Sequence, residues 1–236
     1  MNMVDPEGLD WYETNEGTVR WTTYSSQKEL EANNIDGIYR GKVYVVFKGS
    51  RQESLGSKNR KSGYIDGEGA VTATVTIFGD KGEDDIHQLK GYTMSSDARL
   101  FGAIDEGVYD ANYDLKGKRG RLSSHWVLNN RGPIRMIDGR INPYHPNQID
   151  DKGEGFKTGI FIHSTNANGY AGINGPVSAG CLLLAPEDFR VFNNVLSGYR
   201  NFKVAVYRTV LVKKPLMGVT GEVPNIFIPF LDLKTD

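Results

Sequence analysis

The chain has 236 residues, 39% hydrophobic and 24% charged, enough for one large domain or two small ones with a substantial core. Its net charge of −1 removes the electrostatic argument for a nucleic-acid or anionic-membrane partner. No apolar run approaches a membrane span, and the opening MNMVDPEGLDW lacks the basic-then-apolar order of a signal peptide. A single cysteine, Cys181, excludes an intramolecular disulfide and a thiolate zinc site, so its thiol is either packing or chemistry.

Twelve Tyr and 28 Gly, with many Asn-Gly and Asp-Gly breaks, read as short strands and tight turns. Residues 5–9, DPEGL, form a turn in which Pro6 fixes φ and Gly8 permits a positive one. A short helix is predicted over 25–34, where Ser26 and Glu29 fit a capping box and Asp36-Gly37 stops it. Residues 42–48 (KVYVVFK) read as a strand, and 49–69 as a polar loop carrying Arg51, Lys58, Arg60 and Lys61. The clearest strand is 70–78, with Val71, Ala73, Val75 and Ile77 on one face and Thr72, Thr74 and Thr76 on the other.

Further strands are expected over 87–95 and 100–113, broken by Gly102 and Gly107, and as a pair over 122–129 and 134–137. Residues 142–155 read as a Pro- and Asp-rich loop. A short strand over 160–163 sends Ile160 and Ile162 one way and Phe161 and His163 the other. A Gly/Asn loop leads to apolar Leu182–Leu184 and then to a helix over 186–198. Pro186 suits its first turn, Glu187 and Asp188 suit the positive end of its dipole, and Phe189, Phe192, Val195 and Leu196 share one face. A last strand is expected over 202–207, and the Pro-containing tail from Lys213 is expected to wrap the surface. The fold class is mainly β with a few helices: a closed or sandwiched sheet with one well-defined helix after Cys181.

His163 and Cys181 fall together in 158–184, TGIFIHSTNANGYAGINGPVSAGCLLL. A free cysteine before an apolar run is ordinarily a small buried hydrophobe, and a histidine at a strand end is ordinarily structural. Chemistry is favoured by Gly180, which lets the backbone approach a substrate and aims the amides of Gly180 and Cys181 at a developing oxyanion. A thiol nucleophile needs a base, and all four histidines (His87, His125, His145, His163) precede Cys181. The papain-like order, Cys before His, is therefore excluded. Neither the Gln-Ala-Cys of caspases nor the Thr-x-Thr-Cys of sortases is present.

Ile162-His163-Ser164 and Ser178-Ala179-Gly180-Cys181, with an 18-residue step from His to Cys, resemble the YkuD-type L,D-transpeptidase signature. The intervening loop 165–177 is similar too, and 103–113 takes the place of the family's TPxGxF strand. The chain departs at Ala179, where the family usually has His, and at Leu183, where it has Arg or Asn. The DPEGL turn resembles the DPxGL junction of Rhs-repeat proteins, which precedes a C-terminal toxin delivered by type VI secretion.

The resemblance implies a junction over 1–9, an N-terminal extension over 10–69, a catalytic domain over 70–208 and a tail over 209–236. It implies Cys181 as nucleophile, His163 as base, the Ser164 carbonyl as the holder of the imidazole, and the Gly180 amide at the oxyanion. Ser178, Ala179, Tyr170 and His125 would line the substrate cleft. No cofactor and no metal are called for. The implied substrates are peptidoglycan tetrapeptide stems, the further partner an immunity protein, and the place of action the periplasm of a target bacterium. No nucleic acid and no membrane insertion are expected. Two alternatives stand beside this reading. One is a metal-dependent hydrolase using His87, His125 or His145 with Asp84 or Asp85; the other is a wall-binding or adhesion module with an inert cysteine.

Overall fold

Strict alternation along the strands decides the architecture. In β5 (Ala73–Phe78), Val75 and Ile77 are fully buried while Thr74 is exposed, so one face of the strand must meet a core. The same requirement recurs in β4 (Tyr44–Ser50), β6 (Ile86–Tyr92), β7 (Gly107–Asp114), β8 (His125–Leu128), β11 (Phe161–Ser164), β12 (Leu182–Leu184) and β13 (Asn201–Thr209). These eight strands satisfy it by closing into one barrel, in the order β11-β12-β6-β5-β4-β13-β7-β8. This computed structural model describes residues 9–53, 71–94, 102–114, 125–143, 145–164 and 180–209. Among them the protein is mainly β with two α-helices, and no helix is long and apolar enough to cross a membrane.

The barrel is mixed. β13 runs parallel to β4 over seven register pairs, from Lys203↔Tyr44 to Thr209↔Ser50, and β11 runs parallel to β12; the other barrel pairs are antiparallel. Val45, Phe47, Val75, Ile77, Ile162, Leu182, Val204 and Val206 face a single interior cluster. The second helix, α2 (Pro186–Leu196), lays Phe189, Phe192 and Leu196 into the same core. It is the helix expected after Cys181.

An outer sheet, β2-β1-β3, covers part of the barrel; its strands are β1 (Asp10–Glu13), β2 (Val19–Thr22) and β3 (Ile38–Gly41). None of the three is marked by the sequence, because each is only four residues long and β1 buries Asp10 and Glu13 where alternation predicts apolar residues. Trp11 fixes the contact. Its ring lies 4.6 Å from Trp21 and 5.0 Å from Phe78, and its Nε1 donates to Gly79 O at 2.6 Å. The Glu13 carboxylate accepts from Tyr44 and Tyr207, each at 2.9 Å, and from Arg40 at 2.6 Å. Burial raises both phenols above the usual tyrosine range, which keeps them protonated as donors.

Between β2 and β3, helix α1 (Gln27–Ala32) is capped by Ser26 Oγ, which accepts from Glu29 N at 3.3 Å. Glu29 reaches back to Ser25 N at 2.6 Å, one residue earlier than the expected capping box. The expected strand over 134–137 shortens to β9 (Ile134–Arg135), which pairs with β10 (Phe156–Lys157) and ends in a single turn of 3₁₀ helix, Ile137–Gly139. The barrel also reaches back to Tyr44, so the expected boundary at residue 70 does not divide it: β4 is needed to bridge β5 and β13. Within 49–69 only residues up to 53 are described, and the tail from residue 210 lies outside the described residues.

A buried polar knot joins the end of β13 to the segment after β6. Arg208, 4% exposed, donates from Nε to Thr93 Oγ1 at 2.9 Å, from Nη2 to Thr93 O at 2.7 Å and from Nη1 to Ile104 O at 2.9 Å. Glu53 accepts from the amides of Ser50, Thr93 and Met94. Burial pulls the Arg208 guanidinium below its ordinary value, and the Glu53 charge opposes that pull.

Trp11→Ala is expected to destabilise the protein by about 3–5 kcal/mol, since it empties the centre of the interface between outer sheet and barrel. Urea denaturation followed by far-UV circular dichroism measures this; an unchanged midpoint would show that the outer sheet adds nothing to barrel stability.

Candidate active site

Parallel pairing sets the geometry. β11 and β12 align Ile162 with Leu182, His163 with Leu183 and Ser164 with Leu184. Ile162, Leu182 and Leu184 point into the core, so Phe161, His163, Cys181 and Leu183 belong to the outer face. His163 and Cys181 are therefore diagonal neighbours on adjacent strands, a separation of roughly 7–8 Å between Cα atoms that side chains of this length can bridge. The Phe161 amide donates to Cys181 Sγ at 3.5 Å, which pins the sulfur beside β11.

Cys181 is 6% exposed and packs against Val127 and Phe161. The Arg131 guanidinium lies over the Phe161 ring, 5.4 Å from its centroid, and pairs with Asp114. His163 is half-buried, and its Nδ1 lies 2.9 Å from Ser164 O. A carbonyl can only accept, so Nδ1 carries the proton and Nε2 is the acceptor nitrogen of the ring. The site thus holds a thiol and an imidazole of matching tautomer on one face of one sheet.

Gly180 precedes the cysteine with φ of +125°, a conformation that residues with a Cβ rarely adopt. A Cβ at this position would lie 3.2 Å from Lys157 Nζ and 3.3 Å from Lys157 Cδ. Lys157 ends β10 and is only 5% exposed. Neither it nor Arg131 is flagged by motif or spacing. In the sequence Lys157 follows Phe156 and stands before Thr158, Gly159 and the apolar Ile160-Phe161.

No family model matches the chain, and no curated protein matches it.

Tyr170, Ser178 and Ala179 lie outside the described residues. His125 opens β8, the strand antiparallel to β11, and its side chain likewise lies outside them. His87 Nε2 meets Asp85 Oδ1 at 2.8 Å, His145 is exposed on a loop, and no group of three or more His, Cys, Asp or Glu side chains suited to a metal occurs among the described residues. A cavity of about 600 Å³, lined by Tyr113, Trp126, Asn193, Asn194, Tyr199 and Arg200, opens beside the end of α2. Trp126 belongs to the interior cluster whereas Cys181 packs on the outer face, so this cavity is separate from the thiol.

Gly180→Ala is expected to cost about 1–3 kcal/mol through backbone strain, with crowding of Lys157 added, and to move the thiol away from His163. A chemical-denaturation midpoint and the rate of Cys181 modification by a maleimide, both compared with wild type, check this; no change in either would remove the requirement for glycine.

Proposed function

We propose that the protein is a cysteine-dependent peptidoglycan-modifying enzyme of the YkuD L,D-transpeptidase type, acting on tetrapeptide stems as an antibacterial toxin. The observation that carries the reading is the placement of His163 and Cys181 as diagonal neighbours on parallel strands, with the imidazole proton held on Nδ1 by Ser164 O.

In this scheme His163 Nε2 takes the thiol proton, and Cys181 Sγ attacks the carbonyl of the third stem residue. The amides of Gly180 and Cys181 stabilise the tetrahedral oxyanion, a contribution of about 3–4 kcal/mol per donor in comparable enzymes. Collapse breaks the bond to the terminal D-Ala, whose amine leaves with the proton from the imidazolium. The resulting thioester passes its acyl group to water, giving a trimmed stem, or to an amine, giving a crosslink or an exchanged residue. His163 takes the proton of the incoming nucleophile, and the thiol is regenerated.

Ala179 and Leu183 offer no polar side chain where the resembling family supplies one, which favours an acceptor that needs little recognition; water meets that description. Trimming donor stems deprives a wall of crosslinks and agrees with the DPEGL sequence at residues 5–9. An immunity protein that occludes the thiol face fits the same role.

Burial of Cys181 to 6% favours a second reading, a wall-binding module in which the thiol is only packing.

Mass spectrometry of peptidoglycan digested with wild type and with Cys181→Ala separates the two. Wild type is expected to release D-Ala or exchange it, and Cys181→Ala to lose at least about 10³-fold in rate. Equal activity in the variant would exclude the thiol mechanism, and binding without turnover by both would establish the second reading.

A further inference from the structure

The side chain nearest the vacant Cβ position of Gly180, next to the nucleophile, is a cation that the reaction scheme does not use. Lys157 is 5% exposed, so its ammonium is held out of bulk water. Nζ lies 3.2 Å from the point where a Gly180 Cβ would stand, and Ile160 Cδ1 lies 3.8 Å from the same point. The missing side chain of Gly180 is thus what makes room for the end of Lys157. A charge enclosed this way acts at low effective dielectric, where an interaction over a few ångströms is several times stronger than in water. Burying an ammonium is itself costly, and the protein places this one against the residue that precedes its only cysteine.

We propose that Lys157 is a positioning residue for Cys181. Its ammonium fixes the Gly180–Cys181 turn from behind and supplies the positive charge that favours the thiolate and the oxyanion formed from it. This rests on the reading of Cys181 as a nucleophile but not on the identity of its substrate.

The other charged and titratable groups around the thiol come from every neighbouring element. They are His163 on β11, Arg131 between β8 and β9 with its ion-pair partner Asp114 on β7, Tyr92 opposite Leu183 on β6, exposed Lys90 two residues before it, and Asp188 of α2, which accepts from the Lys90 amide at 3.1 Å. The described groups around the cysteine therefore carry both signs. Lys157 differs from the rest in being buried against the residue that precedes the sulfur. His163 is the one group able to mimic its effect, so the experiment removes each in turn.

The experiment follows alkylation of Cys181 by iodoacetamide as a function of pH, a step in which the thiolate displaces iodide, a C–S bond forms and the thiol proton goes to solvent. It uses the full chain and no peptidoglycan. Lys157→Met and Lys157→Gln are expected to alkylate roughly tenfold slower than wild type at pH 7, with the midpoint of the profile moved to higher pH. Lys157→Arg keeps the charge and is expected to stay within about threefold of wild type. His163→Ala is expected to keep a midpoint below the roughly 8.5 of an ordinary cysteine.

A wild-type profile unmoved by either neutral variant would overturn the proposal. So would an Arg variant as slow as the neutral ones, or a wild-type midpoint at or above that of free cysteine; these two readouts decide the matter even where Lys157→Met does not fold. Loss of the alkylation effect sinks the role of Lys157, whereas absence of D-Ala release with the effect intact sinks only the peptidoglycan reading.

Discussion

The site depends on one register. Side chains of a strand alternate with a period of two, so slipping β12 by a single residue against β11 would turn Cys181 toward the core and bring Leu182 out to the face of His163. In the observed alignment Ile162, Leu182 and Leu184 are fully buried in the interior cluster, and Leu183 is fully buried on the other face. Their neighbours reinforce it. β8 pairs Val127 with Phe161 on one side, and β6 pairs Tyr92 with Leu183 on the other, so both strands of the site are held within a continuous sheet. A parallel pair cannot be joined by a tight turn, and residues 165–179 separate Ser164 of β11 from Gly180 in the sequence. Cys181 stands at the entry to β12, beside the strand that holds His163.

Burial of charge is the second theme of the molecule. Glu13, Lys157 and Arg208 are all nearly sequestered, at 7%, 5% and 4% exposure, and each lies at a junction. Glu13 gathers Tyr44, Tyr207 and Arg40 where the outer sheet meets the barrel. Arg208 and Glu53 meet around Thr93 at the end of β13. Lys157 stands against Gly180 at the entrance to β12. Such groups contribute less net stability than apolar residues of the same size, but removing one partner leaves the other uncompensated. They tie specific segments to specific places, which an apolar contact does less selectively.

Much of this was legible in the sequence wherever one face of an element is buried and the other wet. β5 and the Ile160–His163 alternation announced themselves, as did α2 with its Pro186 start and Phe189–Phe192–Leu196 stripe. The His-then-Cys order and the Gly before the Cys directed attention to β11 and β12, which the structure pairs. Local pattern failed where pairing is remote. β1 places Asp10 and Glu13 inside because Tyr39, Tyr44 and Tyr207 receive them, and those partners are 29, 31 and 194 residues away. Lys157 falls between the loop and the strand read from the sequence, and only β10 is seen to deliver it to Gly180. The Lys42–Lys48 strand was visible, but its place in the barrel rests on β13, near the far end of the described chain.

That last pairing bears on how the protein comes to exist. β4 and β13 are joined in parallel across about 160 residues, so the barrel cannot close during synthesis until β13 has left the ribosome. At roughly 5–20 residues per second, β4 waits on the order of 10–30 s for its partner with one edge open. β12 and α2 emerge in the meantime onto a sheet that has no closed interior to receive Leu182, Leu184 or Phe192. The thiol–imidazole pair is therefore assembled late, by the completion of a distant seam and not by its own local folding. A nascent chain therefore lacks the aligned pair until that seam is complete.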